Sequence, residues 1–372
     1  MNYYQLAMAL LLFSISLYAF YARMRMESSI HSLGIKPGRK TFLVEPLHLP
    51  FIIIILLLFL LLQSSLTPFL NYLGFLMMLF INLSIYYAIV LFLLPLLRKT
   101  ISARACAYLW MISTTLYALT GPLYLGKPRI FLTLPQRFLK PFVLIWFIGV
   151  LVVLFYFFIS HLLFRKNIVK NGKKLLDEEI LTLWHKMAKK YGVKEEIPIL
   201  LSDGVNTPFT LGLFEKSMIL FLPRKEHSQE ELTLIFDHEL LHIARSDTRT
   251  KLFLDFIAAV TWFNPLSWIA RKKSAQDLEL SCDETLLNHA DERTRALYAE
   301  LLLKNAGSSP GYTTCLSAAA STLRYRLKNV VKPSRRYSGG IVVSIAIFLL
   351  VMSLGAISLT EDRSTIKEKV FD

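Results

Sequence analysis

The sequence predicts a polytopic α-helical membrane protein with an inserted soluble α+β domain. Hydrophobic residues make up 54% of the 372 residues and the mean hydropathy is +0.47, so the chain is too apolar for an ordinary soluble protein. Segments of about 20 apolar residues can span a bilayer, and they occur at 3–21, 47–63, 70–97, 105–123, 141–163 and 340–359. The long polar stretch before the last segment has mixed helix and strand patterns.

The apolar segments divide the chain into four expected parts. These are a membrane domain at 1–164 with about five candidate transmembrane helices, a soluble domain at 165–339, a last transmembrane helix at 340–359 and a tail at 360–372. The segment at 105–123 is the weakest, because it contains Ser113, Thr114 and Thr115. We interpret the first segment as a signal-anchor-like helix rather than a cleaved signal peptide, since its positive charges follow the apolar run.

Basic residues at both ends of the soluble domain predict its side of the membrane. Five Lys and Arg residues lie in 165–174 and six lie in 324–336. Because short cytosolic segments are rich in Lys and Arg, we expect the soluble domain in the cytosol, and the N-terminus and C-terminal tail outside the cell membrane. One set of basic residues conflicts with this arrangement, since six spans would place it outside: Lys127, Arg129, Arg137 and Lys140.

The net charge of +15 does not predict a nucleic-acid-binding protein. The charges cluster at membrane edges, where they set topology and contact anionic lipid. No basic patch interleaved with aromatic residues stands out, so the expected partner is the lipid bilayer and not nucleic acid. The three cysteines, at 106, 282 and 315, have separate contexts, which predicts no disulfide framework and agrees with a reducing cytosolic domain.

The stretch DHELLHIARSD contains the pattern HExxH. On a helix His238 and His242 lie one above the other, so both imidazoles can bind one metal ion. Glu239 lies about 100° around the helix, where it can act as a general base on water rather than as a third ligand. Ser228 and Glu231 form a capping box before this helix. The apolar stripe that predicts burial of the helix consists of Leu232, Phe236, Leu240 and Ile243.

A second helix is predicted to supply the third metal ligand. In the segment WFNPL, Asn264 suits an N-cap and Pro265 suits the first helical position, so a helix begins there. Its LELSCDE segment carries Glu279 and Asp283 as an i, i+4 pair on one face. Two histidines and one glutamate are an established set for catalytic Zn²⁺, so Glu279 is the expected third ligand. The alternative is an ordinary solvated pair of acids.

Two carboxylates are predicted to orient the ligand histidines through their second ring nitrogens. Asp283, one turn beyond Glu279, is the first. Asp247 is the second, because the macrodipole disfavours a carboxylate at the end of the HExxH helix, and its presence there indicates a local use with Arg245 or a histidine. Taken alone, HExxH arises by chance in many proteins.

The combination of HExxH, WFNPL and a helix with ExxCDE resembles the BlaR/MecR family of membrane zinc metallopeptidases, known as antibiotic sensor-transducers. The segment TPFTLGLFEKSMILFLP is similar to the family's Pro-x-x-x-Gly strand segment. The resemblance implies a cytosolic zincin domain of the gluzincin type, with Zn²⁺ on His238, His242 and Glu279 and with Glu239 as base. In zincins an edge strand binds the substrate backbone, and the expected edge strand, with a plain structural hairpin as the alternative, contains Thr210, Leu211 and Gly212.

The expected function is that of a regulatory, signal-transducing endopeptidase. Its expected substrate is a cytosolic protein such as a winged-helix repressor, with cleavage of its own chain and a homodimer as further expectations. The 13 residues at 360–372 are too few for a folded receptor, so we expect no C-terminal penicillin-binding sensor domain. Three alternatives remain: a non-enzymatic transducer with the same fold, a processing peptidase similar to the CAAX and HtpX types, and a transporter with an accidental motif.

The remaining patterns of the soluble domain predict its other elements. Residues 172–192 favour an amphipathic helix that ends at a glycine, and 197–202 and 217–222 favour strands. Helices are expected at 249–262 and 290–306, and a flexible stretch at 307–320.

Overall fold

The computed structural model describes residues 3–33, 48–62, 67–112, 130–133, 136–305, 313–332, 336–353 and 357–360. The described chain is mostly helical. Its helices are α1 (Tyr3–Leu33), α2 (His48–Leu61), α3 (Thr67–Thr100), α4 (Ala103–Met111), α5 (Gln136–Asn171), α6 (Glu178–Lys190), α7 (Gln229–Arg245), α8 (Asp247–Val260), α9 (Pro265–Leu286), α10 (Glu292–Asn305), α11 (Thr313–Val331) and α12 (Gly340–Ser353). Its strands are β1 (Ile130–Thr133), β2 (Lys173–Lys174), β3 (Ile199–Ser202), β4 (Phe209–Leu211), β5 (Ile219–Pro223) and β6 (Ile357–Thr360).

Two helices among the described residues are long and apolar enough to cross a membrane. They are the Leu79–Thr100 part of α3 and the Leu144–Asn171 part of α5, and shorter apolar helices cover Leu6–Ala22 and Gly340–Met352. Large apolar side chains of α5 point outward, such as Phe155, which is 66% exposed. Since an exposed apolar face of this length needs an apolar surrounding, both helices are candidates for lipid contact. The arrangement with six spans stays a prediction.

The fourth apolar segment begins as a packed helix. In α4, Cys106 and Trp110 are fully buried, and the helix lies against α9 of the soluble domain. Ser102 caps α4 by accepting a hydrogen bond from the Ala105 N–H at 3.2 Å. Residues 113–123 of the predicted span and residues 124–129 of the following loop lie outside the described residues.

The last apolar segment is a helix only in its first part. The helix α12 ends at Ser353, and β6 then pairs in parallel with β1, with Ile357 opposite Ile130. The prediction of a helix up to residue 359 was therefore wrong at its end. Strand pairing with a segment more than 200 residues earlier (357 minus 130) leaves no local signal in the sequence.

The soluble domain contains a four-stranded sheet in the order β2-β3-β5-β4. The strands β3 and β5 are parallel, while β4 and β5 form an antiparallel hairpin. Phe221 in β5 is fully buried, and its ring stacks on that of Phe209 at 5.3 Å. Both predicted strands exist, each starting two residues later than expected, and β4 forms one edge of the sheet.

The helix α7 has the cap and the apolar stripe that its sequence predicts. The Ser228 side chain accepts from the Glu231 N–H and the Glu231 carboxylate accepts from the Ser228 N–H, which completes the capping box. The four stripe residues are all buried. They pack with Trp184 of α6, whose ring meets that of Phe236 at 5.0 Å.

Two predicted boundaries of the soluble domain were wrong. The helix predicted at 172–192 begins only at Glu178, because Lys173 and Lys174 pair with β3 and Asp177 caps the helix. It does end as predicted, at Gly192 with φ of 72°, a value that glycine tolerates. The stretch expected to be flexible at 307–320 is helical from Thr313 onward, as the start of α11. Residues 306–312 lie outside the described residues.

The helix α9 connects the soluble domain to the apolar helices. Asp277 is fully buried and accepts hydrogen bonds from Arg98 Nε of α3 at 2.8 Å and from Trp110 Nε1 of α4 at 2.7 Å. Glu284 accepts from the Ala103 N–H at the start of α4, at 2.7 Å. One face of α9 is thus fixed to the apolar helices while its opposite face is turned toward α7.

Candidate metal centre

The helices α7 and α9 bring three of the predicted residues together. The Nε2 atoms of His238 and His242 are 3.1 Å apart, and Oε2 of Glu279 lies 3.5 Å from the first and 3.6 Å from the second. For metal bonds of about 2.0–2.2 Å in tetrahedral geometry, donor atoms are expected to lie about 3.4 Å apart. The three donor atoms therefore have the spacing of a Zn²⁺ site.

The second ring nitrogens fix the proton positions of both histidines. His242 Nδ1 lies 2.7 Å from Asp247 Oδ2, and since a carboxylate only accepts, Nδ1 must donate. The Tyr298 hydroxyl donates its single proton to Asp283 Oδ1 at 2.6 Å, so His238 Nδ1, at 3.0 Å from that hydroxyl, must also donate. Neutral imidazoles with protonated Nδ1 leave both Nε2 lone pairs facing each other across 3.1 Å. A cation between them removes this repulsion.

The charges around the cluster also favour a cation. Burial by itself lowers the pKa of His238, but the neighbouring Cys282 and Glu279 outweigh burial and raise the pKa to about 9, so without a metal the ring holds a second proton, which a bound cation would replace. Burial by itself raises the pKa of Glu279, but Lys251 and the two histidines hold it well below its ordinary value. Glu279 is therefore a carboxylate, the form that binds a metal.

Asp247 occupies a different structural position from the one expected. Ser246 adopts a left-handed conformation with φ of 58° and ends α7, so Asp247 is the first residue of α8. At the start of a helix the macrodipole stabilises a carboxylate, which is the reverse of the expected situation. The Asp247 carboxylate is buried, 4% exposed, and lies next to Nδ1 of His242 as the sequence predicted.

Asp283 acts on His238 mainly through a third residue. Its Oδ1 atom is 3.5 Å from His238 Nδ1, beyond a good hydrogen bond, and the Tyr298 hydroxyl lies between them. Arg326 of α11 forms two hydrogen bonds to the same carboxylate, both at 2.7 Å. The result is a buried chain of polar groups that runs from Arg326 to the ring of His238.

Glu239 lies next to the metal cluster and is tied to the edge strand. Its carboxylate is buried and accepts a hydrogen bond from the Thr210 hydroxyl at 2.8 Å. Thr210 and Leu211 belong to β4, which among the described residues pairs with β5 alone, so one side of β4 is open. Gly212 follows with φ of 140°, where an added Cβ would lie 2.7 Å from backbone atoms of Met218 and Ser217. The segment thus requires glycine at this position.

Sequence reasoning missed several residues of the site. Lys251 donates to Oε1 of Glu279 at 3.0 Å and leaves Oε2 for the histidines. Tyr298 and Arg326 come from helices far along the chain, and no local pattern indicates them. Cys282 belongs with His238 and His242 to a group whose candidate ligand atoms all lie within 4.8 Å of one another. Its position three residues after Glu279, on the same helix face, was the signal that could have found it.

A cleft of about 640 Å³ opens beside this cluster. Its lining includes Glu279 and Lys251, together with Trp268 and Arg271 of α9 and Thr322 of α11. The cleft provides room for a ligand next to the predicted metal-binding carboxylate.

Two imidazoles and a carboxylate at metal-binding distances, with a second carboxylate beside an open strand edge, are the elements of a metallopeptidase site. The chain belongs to the BlaR1 peptidase M56 family, whose sequence profile matches residues 131–330. The matched region includes α7, α9 and the whole candidate centre.

Curated relatives match about half of the chain or less. The chain is 29% identical over 185 residues to the regulatory protein BlaR1 of Bacillus licheniformis, an alignment that covers 50% of this chain and 31% of that protein. It is 26% identical over 166 residues to the methicillin resistance mecR1 protein of Staphylococcus aureus, covering 43% of this chain and 27% of the relative. The alignments thus span less than a third of either relative.

Proposed function

We propose that this chain is a membrane-embedded zinc endopeptidase with a regulatory, signal-transducing role. The observation that carries the proposal is the convergence of His238, His242 and Glu279 at 3.1–3.6 Å, with Glu239 beside them. Membership of a peptidase family supports hydrolysis of peptide bonds. The names of the relatives, a regulatory protein and a methicillin resistance protein, support a regulatory role.

In the proposed mechanism the two histidines and Glu279 hold Zn²⁺, and Asp247 and the pair Tyr298–Asp283 keep both imidazoles in the required tautomer. Zn²⁺, when bound, lowers the pKa of water and polarises a substrate carbonyl. Glu239 accepts the proton of the attacking water and passes it to the leaving amine. The Thr210 hydroxyl holds the Glu239 carboxylate in place, at 2.8 Å.

The open side of β4 is proposed to bind the substrate. A peptide that adds to this edge as a further strand would lie beside Thr210 and therefore beside Glu239. Leu211 and Gly212 complete the proposed binding edge. The hairpin of β4 and β5 and the required glycine keep this edge in register with the carboxylate.

The proposed location is the cell membrane, with residues 165–339 in the cytosol between a membrane domain at 1–164 and a last span at 340–359. The apolar helices support membrane insertion, and the basic clusters at both ends of the soluble domain support this orientation. A cytosolic protein, such as a winged-helix repressor, is the proposed substrate. A non-enzymatic transducer would need neither Glu239 nor its hydrogen bond to Thr210.

Two variants test this proposal on the full-length protein in detergent. Glu279→Ala should bind zinc less tightly, measured by elemental analysis after dialysis against a chelator, because one proposed ligand is gone. Glu239→Gln should keep zinc and lower the cleavage rate of a proteome-derived peptide library, read by mass spectrometry, by roughly 10²–10⁴-fold.

The matched control is Glu230→Gln, which changes an exposed glutamate in the first turn of the same helix and should leave zinc content and cleavage unchanged. Cleavage by Glu239→Gln at the wild-type rate would refute the mechanism. Wild-type protein without zinc would refute the site itself.

A further inference from the structure

Cys282 is the least expected group beside the proposed metal site. It follows Glu279 by three residues on α9, and its side chain is fully buried. Its Sγ atom and one ring nitrogen each of His238 and His242 all lie within 4.8 Å of one another. The thiol also lies 3.5 Å from the His238 carbonyl oxygen, to which it donates.

A buried cysteine is ordinarily a small apolar side chain that packs among other apolar groups. Cys282 also belongs to the apolar cluster around α7, but its sulfur has in addition two imidazole nitrogens within 4.8 Å. On binding a metal the Cys282 sulfur would lose its proton, because the thiolate is the form of cysteine that binds metals.

The number of donors at the site exceeds what an open catalytic centre uses. A catalytic zinc has three protein ligands and an open position, while a zinc with four protein ligands is closed. The Glu279 carboxylate also forms ion pairs with two basic side chains, since Lys251 lies 3.0 Å from Oε1 and Arg326 lies 3.5 Å from Oε2. The site therefore holds one more soft donor than the proposed reaction requires.

We propose that Cys282 is a fourth metal-binding side chain, which closes the site in a resting state by occupying the position that water needs for hydrolysis. This inference rests on the proposed zinc site and adds a level of control to it. The enzyme becomes competent when a small movement of α9 withdraws the Cys282 sulfur from the metal while Glu279 stays bound. Asp277 of α9 accepts hydrogen bonds from Arg98 of α3 and Trp110 of α4, so a movement of these apolar helices would move α9 as well.

The ligand exchange balances without a redox partner. On closing, the S–H bond would break, the sulfur would take the place of the bound water, which leaves, and the proton would be released to the buffer. On opening, the metal–sulfur bond breaks, the sulfur takes up a proton from solvent and water replaces it. No electrons are transferred in either direction.

Cobalt substitution tests the proposal on the full-length protein, because Co²⁺ reports sulfur ligation by a thiolate-to-metal charge-transfer band in the near ultraviolet. The zinc-free protein is titrated with Co²⁺ alone. Wild type should bind one Co²⁺ per chain and show the band. Cys282→Ser and Cys282→Ala should still bind one Co²⁺ and lose the band. The matched control is Cys106→Ala, which changes another fully buried cysteine, far from the histidines in α4, and should keep the band.

A second measurement compares the affinity of wild type and Cys282→Ala for Cd²⁺, a soft metal ion that prefers sulfur ligands. Cys282→Ala should weaken Cd²⁺ binding at least about 10- to 100-fold. That is the loss in metal affinity found when a residue that only hydrogen-bonds to a metal ligand is removed. Cys282→Ala should also raise the initial rate of peptide cleavage, because no closed form competes with the open one.

Each outcome decides a separate point. Wild type that binds Co²⁺ without the charge-transfer band would overturn the role of Cys282 and leave the proposed function intact. Wild type that binds no Co²⁺ would overturn the proposed function together with this inference. A band combined with an unchanged cleavage rate in Cys282→Ala would overturn the closed resting state.

Discussion

Tyr298 determines which ring nitrogen of His238, a proposed metal ligand, carries the proton, although Tyr298 is not itself a proposed ligand. Its hydroxyl group gives its only proton to Asp283 and can only accept from His238. The proton on Nδ1 of His238 is thereby fixed, and Nε2 is left free to bind. Asp247 does the same for His242 in a single step. At the scale of residues, the site depends on which atom of each ring carries the proton.

Tyr298→Phe should weaken zinc binding by about 10- to 100-fold, because His238 loses the partner that sets its tautomer. The change keeps the ring, so the fold should remain. The measurement is a competition titration against a chromophoric chelator. Tyr191→Phe is the matched control. The hydroxyl of this buried tyrosine donates to Asp237, which lies beside His238 on α7 but is not a proposed metal ligand. Equal zinc affinity in wild type and Tyr298→Phe would refute the tautomer argument.

Thr210→Val should lower the turnover number while leaving zinc content unchanged. Valine has nearly the same shape as threonine but cannot donate to Glu239, so the carboxylate loses the hydrogen bond that holds it at 2.8 Å. Thr210→Ser keeps the hydroxyl and should restore most of the rate. Peptide cleavage and elemental analysis check both variants. A valine variant as active as the serine variant would remove Thr210 from the mechanism.

At the scale of elements, α9 has two polar faces with different tasks. One carries Glu279, Cys282 and Asp283 toward α7, and the other carries Asp277 and Glu284 toward α3 and α4. Such a helix has no single apolar stripe, and only its N-cap and proline mark it in the sequence. Its position between two layers explains why its polar residues are buried.

Asp277→Leu should destabilise the protein by about 3–5 kcal/mol, because it leaves the Arg98 guanidinium without its buried partner. It should also weaken zinc binding, since α9 carries the ligand. The double variant Arg98→Met/Asp277→Leu replaces both charges by apolar groups and should recover much of the stability. Chemical denaturation in detergent measures both. A double variant no more stable than Asp277→Leu would contradict the ion-pair explanation.

At the scale of the whole molecule, apolar helices and the soluble domain share one core. Phe253 and Ile257 of α8 are buried in the same cluster as Leu83 of α3 and Val343 of α12. The helix α8, and the helix α9 that carries Glu279, are therefore packed directly against the apolar part of the chain. A conformational change among the apolar helices can therefore reach the proposed metal site through these direct packing contacts.

The proposed orientation predicts opposite results for two reporter fusions in a bacterial host. Alkaline phosphatase is active only outside the cytosol, so a fusion after residue 170 should be inactive and a fusion after residue 372 should be active. Phosphatase activity of whole cells, normalised to the amount of fusion protein, is the measurement. Active enzyme at residue 170 would place the soluble domain on the other side and reject a cytosolic substrate.

Much of the site could be predicted because its signals are local. The spacing of His238 and His242, the capping box at Ser228 and the start of α9 at Asn264 each depend on a few neighbouring residues. Helix boundaries near β2 and α11 were wrong because strand pairing and packing there involve distant parts of the chain. Asp247 was placed on the wrong helix because a left-handed serine ends α7 without a glycine.

The sequence by itself determined the apolar segments, the strands β3 and β5, and the family to which the chain belongs, since all three depend on residue order alone. Tertiary structure decided which groups surround the metal ligands. Tyr298, Arg326 and Lys251 reach the cluster only because α8, α10 and α11 pack around α7 and α9. Only folding could show that the Cys282 sulfur faces two imidazoles, because one helix fixes the direction of a side chain but not what it meets.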